Sequence, residues 1–410
     1  MQLALFTLIV LIIAKESKLL ISKNHSQKSE TEKTRNPYID LARGIAALLV
    51  VSWHVRGGTA VTDFSVINIH YIVVDFFFLV SGFVLFDQIA KISSGQLAPA
   101  LFLWRRFIRL WPLMFIVVVA ALLVKISQSI CLDTTNGISI AVNCSTENIS
   151  NWLISENGWL SWLSAVLLLQ IAVKASIFWC APLWSLSAIW WANVVSALTS
   201  RVGRLSNIWI LFGLGFVFLA IGLILNRAFI DYYGEIWGIS ALGRALIGFN
   251  GGLIIRNHLN NKSYQSTSYI WILSVVALVV FMVIDRHSLA AAAFASPLCL
   301  APLLVALASQ SDAKLTSQMR SWFLWAGKLS FPAFIWHRVV LEIYYGASQE
   351  IPILGQATIT HFVPRYLLIV SCTILISIVS LRFLEPPLRR RLEHLGNRFL
   401  GFTRVPEVSN

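Results

Sequence analysis

The chain has 410 residues, of which 57% are hydrophobic and 12% charged, with a formal charge of +13 and a mean hydropathy of +0.74. Too few charged side chains are present to cover a water-facing surface, which excludes an ordinary soluble domain and leaves an all-α polytopic membrane protein. The basic excess follows from membrane topology, so no nucleic-acid partner is expected.

The first segment, 1–36, carries an apolar run at 3–14 and then a basic stretch. With no basic residue before the run, it reads equally as an uncleaved anchor, an interfacial helix or an unstructured tail. A membrane domain follows over 37–391, and a cytoplasmic tail over 392–410. Spanning the hydrocarbon core takes about 20 mostly apolar helical residues. Such windows recur near 39–55, 72–90, 110–126, 183–199, 207–226, 239–256, 269–285, 289–308, 330–346 and 365–384. About ten spans are therefore expected. An eleventh apolar stretch, 160–180, contains Gln170 and Lys174 and runs into Pro182, which suits an interfacial or re-entrant helix.

Ten spans place both termini on one side of the bilayer. Putting them in the cytoplasm assigns 23 of the 32 Lys and Arg residues to inner segments. Only Arg56, Lys125, Lys174, Arg227, Arg286 and Arg365 then fall in outer segments, in keeping with the positive-inside bias. Cys131 and Cys144 share the outer loop, where an oxidising compartment would permit a disulfide. No His/Cys cluster has metal-ligand spacing, so no metal is expected.

Within the first span Arg43 and His54 stand eleven residues apart. At about 100° per residue this returns them to within roughly 20° of one face, about 16 Å apart along the axis. Asp40, Ala47 and Val51 fall near the same stripe. Arg43 alone also suits an anchor that snorkels to lipid phosphate. A histidine on the same stripe is a better candidate for chemistry, because imidazole exchanges a proton near neutral pH. Asp75 opens the second span and, inside a membrane, must be paired or hydrated. The short outer loop puts it near the depth of His54, where a carboxylate would fix the imidazole tautomer. His70 and Asp75 match an HxxxxD spacing, but five residues turn a helix by about 140° and would set the two apart. Ser81 and Gly82 suit close helix packing.

Beside the third span, Trp104-Arg105-Arg106-Phe107-Ile108-Arg109-Leu110-Trp111-Pro112 is a dense cationic group. Arg106 and Arg109 are one turn apart and can offer two guanidinium forks to one polyanion. Pro112 suits the first turn of a helix. Further on, His337, Arg338 and Glu342 are ionisable residues inside the ninth span, and Arg338 and Glu342 are spaced to neutralise each other.

These segments resemble integral-membrane acyltransferase family 3. The likeness rests on Arg43 to His54 (Arg-x10-His), Val74 to Phe83 (VDxFFxxSGF) and Arg105 to Pro112 (an RRxxRxxP loop). It continues through Pro182-Leu183-Trp184-Ser185-Leu186-Ser187, a turn at Phe249 to Gly252, Gly327-Lys328-Leu329-Ser330 with Trp336-His337, and Arg382-Phe383-Leu384-Glu385-Pro386-Pro387. The resemblance implies O-acyl transfer, usually of acetyl from cytoplasmic acetyl-CoA, to a hydroxyl of a cell-surface or lipid-linked glycan outside a bacterial inner membrane. It makes His54 the catalytic base or transient acyl carrier, with Asp75 the candidate carboxylate beside it. Arg105, Arg106 and Arg109 would hold the CoA phosphates, and Arg43 would line the donor's path. The family generally places an acidic residue shortly after the PLWSLS element, whereas Ala188-Ile189-Trp190-Trp191 stand here. The competing reading is a transporter or binding protein for a glycan or anionic small molecule, although no repeated halves are evident.

Overall fold

The computed structural model describes residues 35–55, 70–129, 158–171, 182–202, 206–226, 238–260, 268–287, 289–350 and 362–399. The apolar run 3–14, Cys131, Cys144, the side chain of His70 and residues 172–180 of the stretch 160–180 lie outside these residues. Every regular element described is helical. In chain order these are α1 (Pro37–His54), α2 (His70–Ser93), α3 (Pro99–Ser129), α4 (Gly158–Val166), α5 (Leu183–Val202), α6 (Asn207–Asn226), α7 (Gly238–Asn260), α8 (Ser268–His287), α9 (Leu289–Ala308), α10 (Ser317–Glu350), α11 (Phe362–Val379) and α12 (Glu385–Phe399). Six of the helices are long and apolar enough to cross a membrane.

The helix α1 starts where its sequence dictates. The Asn36 side-chain oxygen accepts from the backbone N–H of Tyr38 at 2.9 Å and of Ile39 at 3.2 Å, and Pro37 occupies the first helical position without wasting a donor. The same Asn36 donates through Nδ2 to the carbonyls of Leu307 and Ala308 at 3.2 Å each. One side chain thus caps the start of α1 and the end of α9 together.

Small residues set several close helix contacts. A Cβ on Gly82 would overlap the Phe249 carbonyl, and one on Gly252 the Leu79 carbonyl, so α2 and α7 touch backbone to backbone. The pairings Asp75 with Arg244, Phe78 with Gly248 and Leu79 with Gly252 advance together, so these helices run parallel. On the other side of the bundle, a Cβ on Gly44 would lie 2.8 Å from that of Ala326, and one on Gly327 would overlap the Asp40 carboxylate. With His54 against His337 at the far end, α1 and α10 are likewise parallel. By contrast α6 and α7 pair Gly222 with Ser240 and Gly215 with Ile247, an antiparallel crossing. Outside this core the surface is apolar: Ile272, Val276, Val279 and Val283 of α8 are exposed, whereas Asp75, Arg244 and His337 are buried. Such an inside-out distribution suits a lipid solvent.

Three local expectations change. The residues from Phe249 to Gly252 are not a turn but lie in mid-α7, where the absence of side chains admits α2. Arg105 to Pro112 is not a loop; it belongs to the 31-residue α3, with Pro112 inside the helix rather than at its start. Within 160–180 the described helix is α4, nine residues long, and it gives way to a turn with Leu168 at φ 57°. At the other end of the chain, α11 passes into α12 through a π turn at Ser380–Leu384. Pro386 and Pro387 have no N–H to return to Arg382 and Phe383, so an unbroken α-helical ladder cannot form there.

Candidate functional site

His54 ends α1 with its Nδ1 2.9 Å from the Val50 carbonyl. A carbonyl only accepts, so Nδ1 carries the proton and Nε2 keeps its lone pair. The imidazole faces that of His337 on α10, with ring centroids 4.8 Å apart and planes at 53°. His337 is fully buried, and its Nδ1 donates to the Phe334 carbonyl at 2.7 Å. Its Nε2 is buried with no hydrogen-bond partner among the described residues. Leaving a buried acceptor unsatisfied costs about 1–3 kcal/mol. Arg338, whose charge reaches both imidazoles, forms the expected ion pair with Glu342 at 2.6 Å.

The anticipated pairing of Asp75 with His54 does not form. Asp75 is wholly buried and accepts Arg244 Nε at 3.1 Å and Nη2 at 3.0 Å in bidentate fashion. Ser296 Oγ donates to the same carboxylate, and the Arg244 guanidinium lies 5.4 Å from the centre of the Trp184 ring. Asp75 therefore ties α2 to α7 and α9, with the aromatic face of α5 behind the arginine. A base role beside His54 would require that carboxylate to leave three donors.

At the opposite end of α1, Asp40 accepts Arg35 at 2.7 Å and Arg43 at 3.1 Å. Its buried carboxylate is seated on Gly327 of α10. Arg106 and Arg109 on α3 feel each other's charge and that of Arg43, and Arg109 also feels Arg35 and Arg389 of α12. Arg105 stands about 100° round α3 from Arg106, and the Nε atoms of both are buried without a hydrogen-bond partner among the described residues. Glu393 is engaged by Arg389 at 3.0 Å, and Glu385 stands within reach of Arg109, Arg389 and Lys328. Among the described residues, the guanidinium groups of Arg35, Arg43, Arg106, Arg109 and Arg389 thus gather around Asp40, Glu385 and Glu393, a net positive field suited to a polyanion. The helix pair α1 and α10 joins the two ends: Arg43 and His54 are about 16 Å apart along α1.

The residues from Arg43 to His54 therefore stand as the sequence spacing predicts, with Arg106 and Arg109 brought to Arg43. Sequence reasoning missed His337 as the neighbour of His54 and Arg244 as the partner of Asp75. The available signal was the presence of each inside an apolar segment, which requires a partner but does not name it.

A family model described as an acyltransferase domain, acyltransferase family 3, matches residues 36–382. Over 105 residues, 25% of this chain, the sequence is 36% identical to protein 2 in the picA locus of Rhizobium radiobacter. The chain spans about half the length of that curated relative, 51%. No solved structure matches.

Proposed function

The chain belongs to acyltransferase family 3, and from that premise we propose that this integral membrane protein moves an acyl group, acetyl in the simplest case, from cytoplasmic acyl-CoA to a hydroxyl of a cell-surface or lipid-linked glycan. The observation that carries the reading is the placement of the cation cluster and the His54 imidazole at the two ends of one helix pair. Arg43, Arg106 and Arg109, with Arg105 alongside, bind the CoA phosphates. The pantetheine arm, long and weakly polar, runs along α1 and brings the thioester to His54. There Nε2, left with its lone pair by the Val50 bond, takes the proton of the acceptor hydroxyl as its oxygen attacks the thioester carbonyl. Collapse of the tetrahedral intermediate breaks the C–S bond, and the thiolate recovers the proton as free CoA. Asp75 serves this reaction as a tie that holds α2 against α7 and α9.

Ten spans with both termini inside, in a bacterial cytoplasmic membrane, complete the proposal. The parallel packing of α1 on α10 and of α2 on α7 supports it, because in that order they are first and ninth, second and sixth spans. Parity requires each pair to point the same way, and the neighbouring fifth and sixth spans to oppose. The test is acyl transfer from radiolabelled acetyl-CoA to surface glycan in membranes carrying the parent protein or His54→Ala at equal abundance. Labelling by the parent and its loss in the variant is the expected result; equal labelling by both removes His54 from the chemistry.

A further inference from the structure

We propose that His337 is the proton-sharing partner of His54 on its Nε2 side; the Nδ1 side, where a catalytic triad places its carboxylate, is held by the Val50 carbonyl. The proposal rests on the acyl-transfer reading above and deepens it. Three geometric facts lead to it. Among the described residues no carboxylate is recorded against His54, and Asp75 is held by Arg244 and Ser296. The group that does face it is a second imidazole, at 4.8 Å between centroids. Both rings anchor Nδ1–H on a carbonyl of their own helix, Val50 for one and Phe334 for the other, so both present a bare Nε2. That of His337 is buried and has no hydrogen-bond partner among the described residues.

Two neutral imidazoles with free lone pairs are a poor match until one proton arrives. When the acceptor hydroxyl gives up its proton to His54 Nε2, the new N–H is shared between the reacting atom and His337 Nε2, which takes up part of the positive charge. The proton then returns through His54 to the departing CoA thiolate, so that the acyl-CoA and alcohol yield ester and CoA with no net change in either histidine. A carboxylate could hold the imidazolium too, but inside the membrane it would bring a permanent charge near Arg338 and Glu342; an imidazole brings none in the resting state. His337 acts through His54 and is a positioning residue, not one that touches the substrate.

The experiment measures kcat and the KM for acetyl-CoA of the purified protein with His337→Gln and with His337→Leu. The glutamine oxygen still accepts a hydrogen bond but does not take a proton, so about a tenfold fall in kcat with KM unchanged is expected. Leucine offers neither, and about a hundredfold fall is expected, within the usual range for loss of acid–base assistance. Full kcat in His337→Gln overturns the inference, as does a loss that appears in KM rather than in kcat. Should His337→Leu fail to fold, the glutamine variant alone decides by the same criterion. A parent protein that transfers no acyl group would instead refute the function proposed above.

Discussion

Substitution of Arg244 by Ala should be among the most damaging single changes in this protein, and its size follows from the geometry. Asp75 is 0% exposed and Arg244 4%, so neither can turn to water when its partner is removed. Among the described residues Arg244 supplies two of the three hydrogen bonds to the carboxylate. In Arg244→Ala the carboxylate remains among α2, α7 and α9 with Ser296 as its one donor among those residues. Removing one member of such a buried pair costs about 3–5 kcal/mol. At about 1.4 kcal/mol per tenfold, the folding equilibrium should shift by about a hundredfold to a few thousandfold. In Asp75→Ala/Arg244→Ala the stranded charge is gone, so the double variant should be no less stable than Arg244→Ala. Its cost should fall below the sum of the singles by about 2–3 kcal/mol. The assay is unfolding in mixed detergent micelles titrated with SDS, followed by tryptophan fluorescence. Parent-like stability in Arg244→Ala, or strictly additive losses, would refute the view of Asp75 as a buried tie.

Arg106→Ala and Arg109→Ala should each weaken acetyl-CoA binding about tenfold while leaving the fold intact, since each removes a charge-assisted contact to phosphate; binding measured by calorimetry at two salt concentrations checks this, and the parent should show the steeper salt dependence. Gly82→Val should yield little folded protein, because its side chain meets the Phe249 carbonyl with no space to give; size-exclusion profiles of fluorescent fusions in detergent read this directly. Gly327→Ala presses on Asp40 and releases Arg43 from it, so KM for acetyl-CoA should rise severalfold with a smaller change in kcat.

Much of the helical framework was legible because long apolar runs have few alternatives. Each of the ten stretches singled out by hydropathy carries a helix, and the Arg43 to His54 stripe follows from helical period alone. The residue spacing already sets Arg106 and Arg109 one helical turn apart, while the family resemblance describes Arg105 to Pro112 as a loop. In the structure the arginines sit on one continuous helix, where α12 and the cation-rich end of α1 give their heads an environment and proline is tolerated. The partner of Asp75 was not legible for a different reason. Arg244 is 169 residues away, and local sequence carries no information about which of several buried cations a carboxylate meets. Depth matching suggested His54 instead, but α2 is turned so that Asp75 meets α7. His337 escaped in the same way: its residue type marked it, and only the packing of α10 on α1 through Gly44 and Gly327 shows that it faces His54.

The central claim is that one helix pair carries acyl chemistry from a cation-rich inner end to an imidazole toward the outer side. It is tested most directly in proteoliposomes of a single orientation, with radiolabelled acetyl-CoA supplied to one face and a glycan acceptor sealed on the other. Label should reach the acceptor only when acetyl-CoA meets the face bearing Arg43, Arg106 and Arg109, and never in His54→Ala. Transfer that is indifferent to the side of supply, or that persists without His54, would contradict the account.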